Sequence, residues 1–301
     1  MDNKSNKRNY IQKRLYIYHF LNDGITFILP TLMASFFIIF DLNWFQTGLI
    51  FAFNALGLVI FQILVGYYTD RHSEKLMKLG LFFLAFTSFL MIFSFNFISL
   101  LIFATLSGIA LAFQHSISYS TTSRMYMEER NVKVGRQGAA GDVGKCVAVF
   151  SSAIIIILLG SWQIVLLVWA VIIFSVFGLI LVNFRKINFE DYFHSEFSLS
   201  LEEDRTKMEK TSKFQIFIVV FSYVLYAAAY TMLVTNIATY LKVVKTGVVS
   251  DYSELILGYT ILFGVLGAFC SGIFKNKLGM SNSMIFISLG LIPFILIYVS
   301  I

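Results

Sequence analysis

The sequence predicts an all-α membrane protein, on three grounds: composition, the length of the apolar runs and the placement of basic residues. Of 301 residues, 58% are apolar and only 13% charged, against roughly 25% charged in a typical soluble protein. Lipid offers a backbone no hydrogen-bond partner, so a run that crosses it must be helical and about 20 residues long. Nine runs qualify, at 15–40, 44–65, 77–94, 97–121, 138–160, 162–184, 214–241, 253–273 and 281–301. The net charge of +6 lies in short clusters between these runs. A membrane surface selects that arrangement; a nucleic acid would select a basic face.

The first run follows a polar, basic segment from Met1 to Arg14. It is too long for the apolar region of a cleaved signal, so it reads as a retained first helix. Between the fifth and sixth runs only Gly160 and Ser161 intervene, which predicts a tight helical hairpin. The longest connection, 185–213, carries Glu202, Glu203, Asp204, Arg205 and Lys207. It reads as a solvated linker, with an amphipathic surface helix around Phe189, Tyr192, Phe193 and Phe197 as the alternative. The chain thereby divides into a six-helix unit (1–184), a central loop (185–213) and a three-helix unit (214–301).

Orientation follows from the cations. All but Lys145, Lys242 and Lys245 of the 23 Lys and Arg residues fall in the N-terminal segment or in the even-numbered loops. That bias places the N-terminus and those loops in the cytoplasm. The expected location is the cytoplasmic membrane, crossed several times.

Two loops share a pattern. After the second run comes Gly66-Tyr-Tyr-Thr-Asp70-Arg71, and after the eighth Gly272-Ile-Phe-Lys-Asn276-Lys277. Glycine lets helix ends approach, the Asp or Asn can cap a helix, and the basic residue holds the cytoplasmic face. This repeat, the cytoplasmic N-terminus and the long central loop resemble the major facilitator superfamily. His19-Phe-Leu-Asn22-Asp23 with Pro30, and His115 in the fourth run, are similar to its fosmidomycin-resistance-like branch. The resemblance implies a helical bundle with a complete N-terminal six-helix unit and, in this chain, an incomplete C-terminal unit of three. It also implies a secondary transporter working by alternating access, with Gly66, Asp70, Arg71, Gly272, Asn276 and Lys277 as conformational gates. The family's usual fourth-helix Arg would fall near Ala104 and is absent. The family has twelve helices where nine are read here. The alternative is therefore an accessory remnant, its missing helices supplied by a partner chain or a second copy.

Charge inside the membrane costs about 2.5–3.5 kcal/mol per residue at mid-depth, so each such group needs a reason. Asp23, His115 and Lys145 each lie nine residues from an Arg at a span boundary, namely Arg14, Arg124 and Arg136. At 1.5 Å per residue all three come out about 13–14 Å deep, in one layer near the midplane. The resemblance places their helices around a central cavity. Asp23, with His19 and His115 as relays, is the expected proton-coupling group. Lys145, Asp142, Asn22, Gln114, Tyr226 and Tyr230 are the expected contacts of a small polar or anionic solute. Asp142 and Lys145, three apart, also form a self-neutralising pair on their own helix. The glycines at 135, 138, 141 and 144 predict close helix contact at a domain interface. No enzyme motif is present, and neither Cys146 nor Cys270 shows metal-ligand spacing. Lipid, the solute and protons are the expected partners, with no cofactor, metal or nucleic acid.

Overall fold

The computed structural model describes residues 2–183, 189–193 and 213–278, in backbone only at 2–5, 70, 183, 190, 213–216, 219, 220, 222–230 and 267–278. Every regular element among them is helical: α1 (Asp2–Ile39), α2 (Trp44–Met91), α3 (Phe97–Met125), α4 (Arg130–Leu159) and α5 (Trp162–Asn183). A 3₁₀ turn, Phe189–Tyr192, comes next. It is followed by α6 (Lys213–Val244), the short α7 (Val248–Asp251) and α8 (Ser253–Leu278). Five helical stretches are long and apolar enough to cross a membrane: Asn6–Ile39, Trp44–Thr69, Phe97–Met125, Arg130–Leu159 and Trp162–Val182. The ninth expected span lies outside the described residues.

The helix ends follow from local chemistry. Asn43 and Asn96 cap α2 and α3, their side chains accepting from the backbone N–H of Gln46 and Ser99. Gln46 and Ser99 return the bond to the cap, so two orphan donors are satisfied at each start. The expected hairpin closes at Gly160, whose φ of 62° is the left-handed geometry a C-terminal glycine accepts without strain.

Four boundaries differ from the sequence reading. α1 begins at Asp2 and α4 at Arg130, because charged residues continue a helix into water once the apolar part is fixed. The expected loop with Gly66, Asp70 and Arg71 is helix as well. The second and third spans are two arms of α2, broken only at His72 (φ −144°, ψ 29°). Gly272, Asn276 and Lys277 likewise lie within α8 rather than in a loop. Neither stretch carries a proline, so nothing in it forces an earlier stop.

Two close helix pairs organise the bundle. α2 lies against α3, where the Gly57 Cα faces the Thr105 carbonyl and Gly108 faces the Asn54 carbonyl. Asn54 Nδ2 also donates to the Ala104 carbonyl at 2.8 Å. α1 lies against α4 through Gly24, Gly141 and Gly144. Gly135 and Gly138 have open space instead. The glycine series thus joins two helices of one bundle at its later members, not two domains. Tyr18, Phe36, Leu15, Met77 and Leu81 are fully buried between the helices.

The chain divides into two compact units, Met1–Gly258 and Tyr259–Ile301. Within the first, α6 lies against α1, and Gly258 meets the Phe150 ring of α4. Of the central segment, the turn at 189–192 is packed: Phe189 is fully buried, and Tyr192 accepts from Arg8 Nε at 3.1 Å.

Candidate functional site: a buried charge cluster on α1, α3 and α4

His19 and Asp23 are one turn apart on α1, so both face the same way. The groove they face is open because Gly141 of α4 has no side chain. A Cβ there would lie 2.6 Å from Asp23 Oδ2 and 2.8 Å from His19 Nε2. The helix axes approach so closely one turn further on that a Cβ at Gly144 would lie 2.1 Å from the Phe20 carbonyl oxygen.

Into this groove α3 sends His115 and α4 sends Lys145. His19 Nε2 lies 3.4 Å and His115 Nε2 3.8 Å from Asp23 Oδ1, while Lys145 Nζ lies 3.2 Å from Oδ2. Lys145 also donates to Asp142 Oδ1 at 2.8 Å, so one ammonium bridges two carboxylates. Asp23 is 8% exposed, Lys145 24% and Asp142 31%. The acid is therefore sealed in, while the ammonium and its second partner keep some access. The Lys145 ammonium also sits 5.7 Å from the centre of the Phe27 ring, within cation–π range.

The imidazoles are held mainly by ring contacts. His19 and His115 meet edge to face with centroids 5.1 Å apart, and Tyr119 lies 5.7 Å from each. His19 Nδ1 and His115 Nδ1 are buried without a hydrogen-bond partner.

The residues expected in one layer near mid-depth do meet: Asp23, His115 and Lys145 converge, with His19 and Asp142 at either side. Asn22 and Gln114 are buried on α1 and α3 but form no hydrogen bond with the cluster among the described residues. Gln114 donates to Ser118 Oγ at 3.0 Å, and the Asn22 and Gln114 carbonyl oxygens have no partner. Tyr226 and Tyr230 lie on α6, where the backbone alone is described. Gly66 and Arg71 are exposed on α2.

Sequence reasoning missed Tyr119, although its position one turn after His115 put it on the same helix face. It also missed a second polar layer nearer the start of α1. Thr122 Oγ1 donates toward Gln12 Oε1 (3.1 Å) and Gln137 Oε1 (2.9 Å), and Gln12 Nε2 reaches Gln137 Oε1 at 3.4 Å. These three side chains are almost wholly buried and tie α1, α3 and α4 together on one side of the charge cluster. Thr122→Val is expected to cost about 1–3 kcal/mol, chiefly by leaving Gln12 Oε1 without its donor, read as a lower melting temperature of the purified protein.

Residues 15–301 match the family model described as Major Facilitator Superfamily. The chain belongs to the Major Facilitator Superfamily. No curated protein sequence matches it. Among solved structures, this major facilitator protein is similar to a bacterial homologue of the human lysosomal transporter Spinster in an inward-facing, occupied conformation. The TM-score is 0.70 at 16% identity, covering 90% of this chain and 62% of that one. It is also similar to the nucleoside transporter NupG (TM-score 0.64, 16% identity, 90% and 69% covered). A third likeness is to the xylose transporter XylE from E. coli, inward open (TM-score 0.57, 16% identity, 90% and 69% covered). At such identities the likeness is one of fold. The major facilitator fold here is all-α and multi-pass, and the chain spans 62% of the length of the Spinster homologue.

Proposed function

We propose that this chain is a secondary active transporter. It moves a small polar or anionic solute across the cytoplasmic membrane by alternating access, coupled to protons, with its N-terminus in the cytoplasm. The observation that carries the reading is the buried cluster of Asp23, His19, His115 and Lys145, because ionisable groups inside membrane helices are costly and mark ion or substrate paths. Membership of the superfamily and the transporter folds it resembles support the general class.

In this scheme Asp23 takes the proton, and His19 and His115 pass it along, since an imidazole can accept a proton at one ring nitrogen and give it up from the other. Lys145 is the switch. Held by Asp23 and Asp142 in the empty site, its ammonium turns to an anionic group of the solute when Asp23 is protonated. Asn22 and Gln114 offer side-chain amide oxygens that lack partners, and Tyr226 and Tyr230 of α6 are assigned as further contacts of the solute. Proton and solute then each favour one of two states, which is the physical content of coupling. Gly66, Asp70 and Arg71 on α2, and Gly272, Asn276 and Lys277 on α8, act as the gates. In such a cycle the two expected units, 1–184 and 214–301, rock relative to one another.

The test is proton movement in vesicles. Purified protein is reconstituted around a trapped pH-sensitive dye, and a panel of small polar and anionic solutes is added outside. The expected result is solute-dependent acidification or alkalinisation that a protonophore abolishes. Asp23→Asn should slow it roughly a hundredfold, the scale on which losing a proton-transfer group slows a reaction. An unchanged rate in that variant removes Asp23 from the mechanism. Absence of flux with every solute favours the accessory reading instead.

A further inference from the structure

The two imidazoles and the carboxylate do more than share a layer: they bring ring nitrogens and a carboxylate oxygen into one small space. The ligand atoms of His19, Asp23 and His115 all lie within 4.8 Å of one another. Nε2 of His19 and of His115 stand 3.4 and 3.8 Å from the same oxygen, Asp23 Oδ1. Zinc binds imidazole nitrogen and carboxylate oxygen at about 2.0–2.2 Å in a tetrahedron, which sets neighbouring ligand atoms about 3.3–3.5 Å apart. One observed separation matches that edge and the other exceeds it by a few tenths of an ångström.

We propose that His19, Asp23 and His115 form a binding site for one divalent transition-metal ion of zinc type, with Lys145 as the charge that moves aside to admit it. Two imidazoles and a carboxylate suit zinc, nickel or copper, whereas magnesium and calcium want oxygen throughout. Three protein ligands leave the fourth tetrahedral position for water or an anion. Neither ring is held by a hydrogen bond at Nδ1, so each can tilt to close the tetrahedron. The two Asp23 oxygens divide the work: Oδ1 faces the rings and Oδ2 faces Lys145. Lys145 already has a second carboxylate, Asp142 Oδ1 at 2.8 Å, to hold it when the ion takes over Asp23. Among the described residues, the groups that face the site are His19 and Asp23 from α1, His115 and Tyr119 from α3, and Asp142 and Lys145 from α4. Metal and proton compete here, because a bound metal needs the imidazole nitrogens and the carboxylate deprotonated.

The test titrates Zn²⁺ into the full chain in lipid nanodiscs, purification tag removed, against a chromophoric chelator. At pH 7.5 one ion per chain is expected. His115→Ala and His19→Ala should each weaken binding by at least about a hundredfold, the upper end of what losing an outer partner costs. Lowering the pH to 5.5 should weaken it as well. Lys145 gives the decisive pair of variants: Lys145→Met should tighten binding, and Asp142→Asn should weaken it by leaving the ammonium on Asp23. A poorly folded protein does not gain affinity, so the first of these separates a site from a folding defect. Zinc binding no better than in the His19→Ala/His115→Ala double variant overturns the proposal, as does weaker binding in Lys145→Met. Binding is read at equilibrium, so its failure leaves the transport reading standing, and an inactive transporter that binds zinc leaves this one standing.

Discussion

Gly144→Val is expected to be the most damaging single substitution on α4. A Cβ at this position would lie 2.1 Å from the Phe20 carbonyl oxygen and 2.8 Å from its carbon. Both are backbone atoms in the middle of a helix, so no rotamer change relieves the clash and the helices must part. Parting them opens the contact through which Trp169 covers Gly24 and the groove in which Asp23 and Lys145 meet. Overpacking a core costs about 1–3 kcal/mol where side chains can adjust. Against backbone the upper end of that range is the least to expect. The measurement is thermal unfolding in detergent, with Gly138→Val beside it: that position has nothing within 4 Å of the added carbon and should melt near the wild-type temperature. Equal melting of the two variants would mean that α1 and α4 do not approach as described.

Lys145→Met is expected to have the second largest effect, for an electrostatic reason. It leaves Asp23 and Asp142 without their shared cation, and Asp23 is 8% exposed. Breaking a fully buried pair costs about 3–5 kcal/mol. Lys145 and Asp142 retain a quarter to a third of their exposure, which screens part of that, so about 2 kcal/mol is the expected loss. Adding Asp23→Asn should recover most of it, since the stranded charge is then gone. A double variant that melts no higher than Lys145→Met alone would show that the pair is not coupled.

The five spans found among the described residues were legible because membrane crossing imposes a length and an apolar composition on each segment separately. The layer of charge was legible for a similar reason: Asp23, His115 and Lys145 each sit nine residues from a boundary Arg, and helical rise is constant. What each residue touches was not legible. Gln12, Thr122 and Gln137 meet across separations of up to 125 residues, and two of them fell in what read as a loop. Gly141 and Gly144 looked equivalent to Gly135 and Gly138, yet only the later pair meets α1. Spacing within one helix does not say which neighbour lies opposite. The helix breaks were misjudged where polar residues simply continued a helix, at Asp2, at Arg130 and through Gly66 to Arg71.

The bridge that Lys145 makes between two acids also sets how the cluster responds to a membrane potential. Two carboxylates and one ammonium leave one negative charge while both imidazoles are neutral, and a single added proton brings the cluster to zero. A full charge carried across the membrane feels about 2.3 kcal/mol per 100 mV. In the proposed alternating-access cycle the unprotonated cluster would be pushed by voltage and the protonated one would not. Among the described residues α1, α3 and α4 carry every member of the cluster, so that difference would survive any rigid motion of the three helices together.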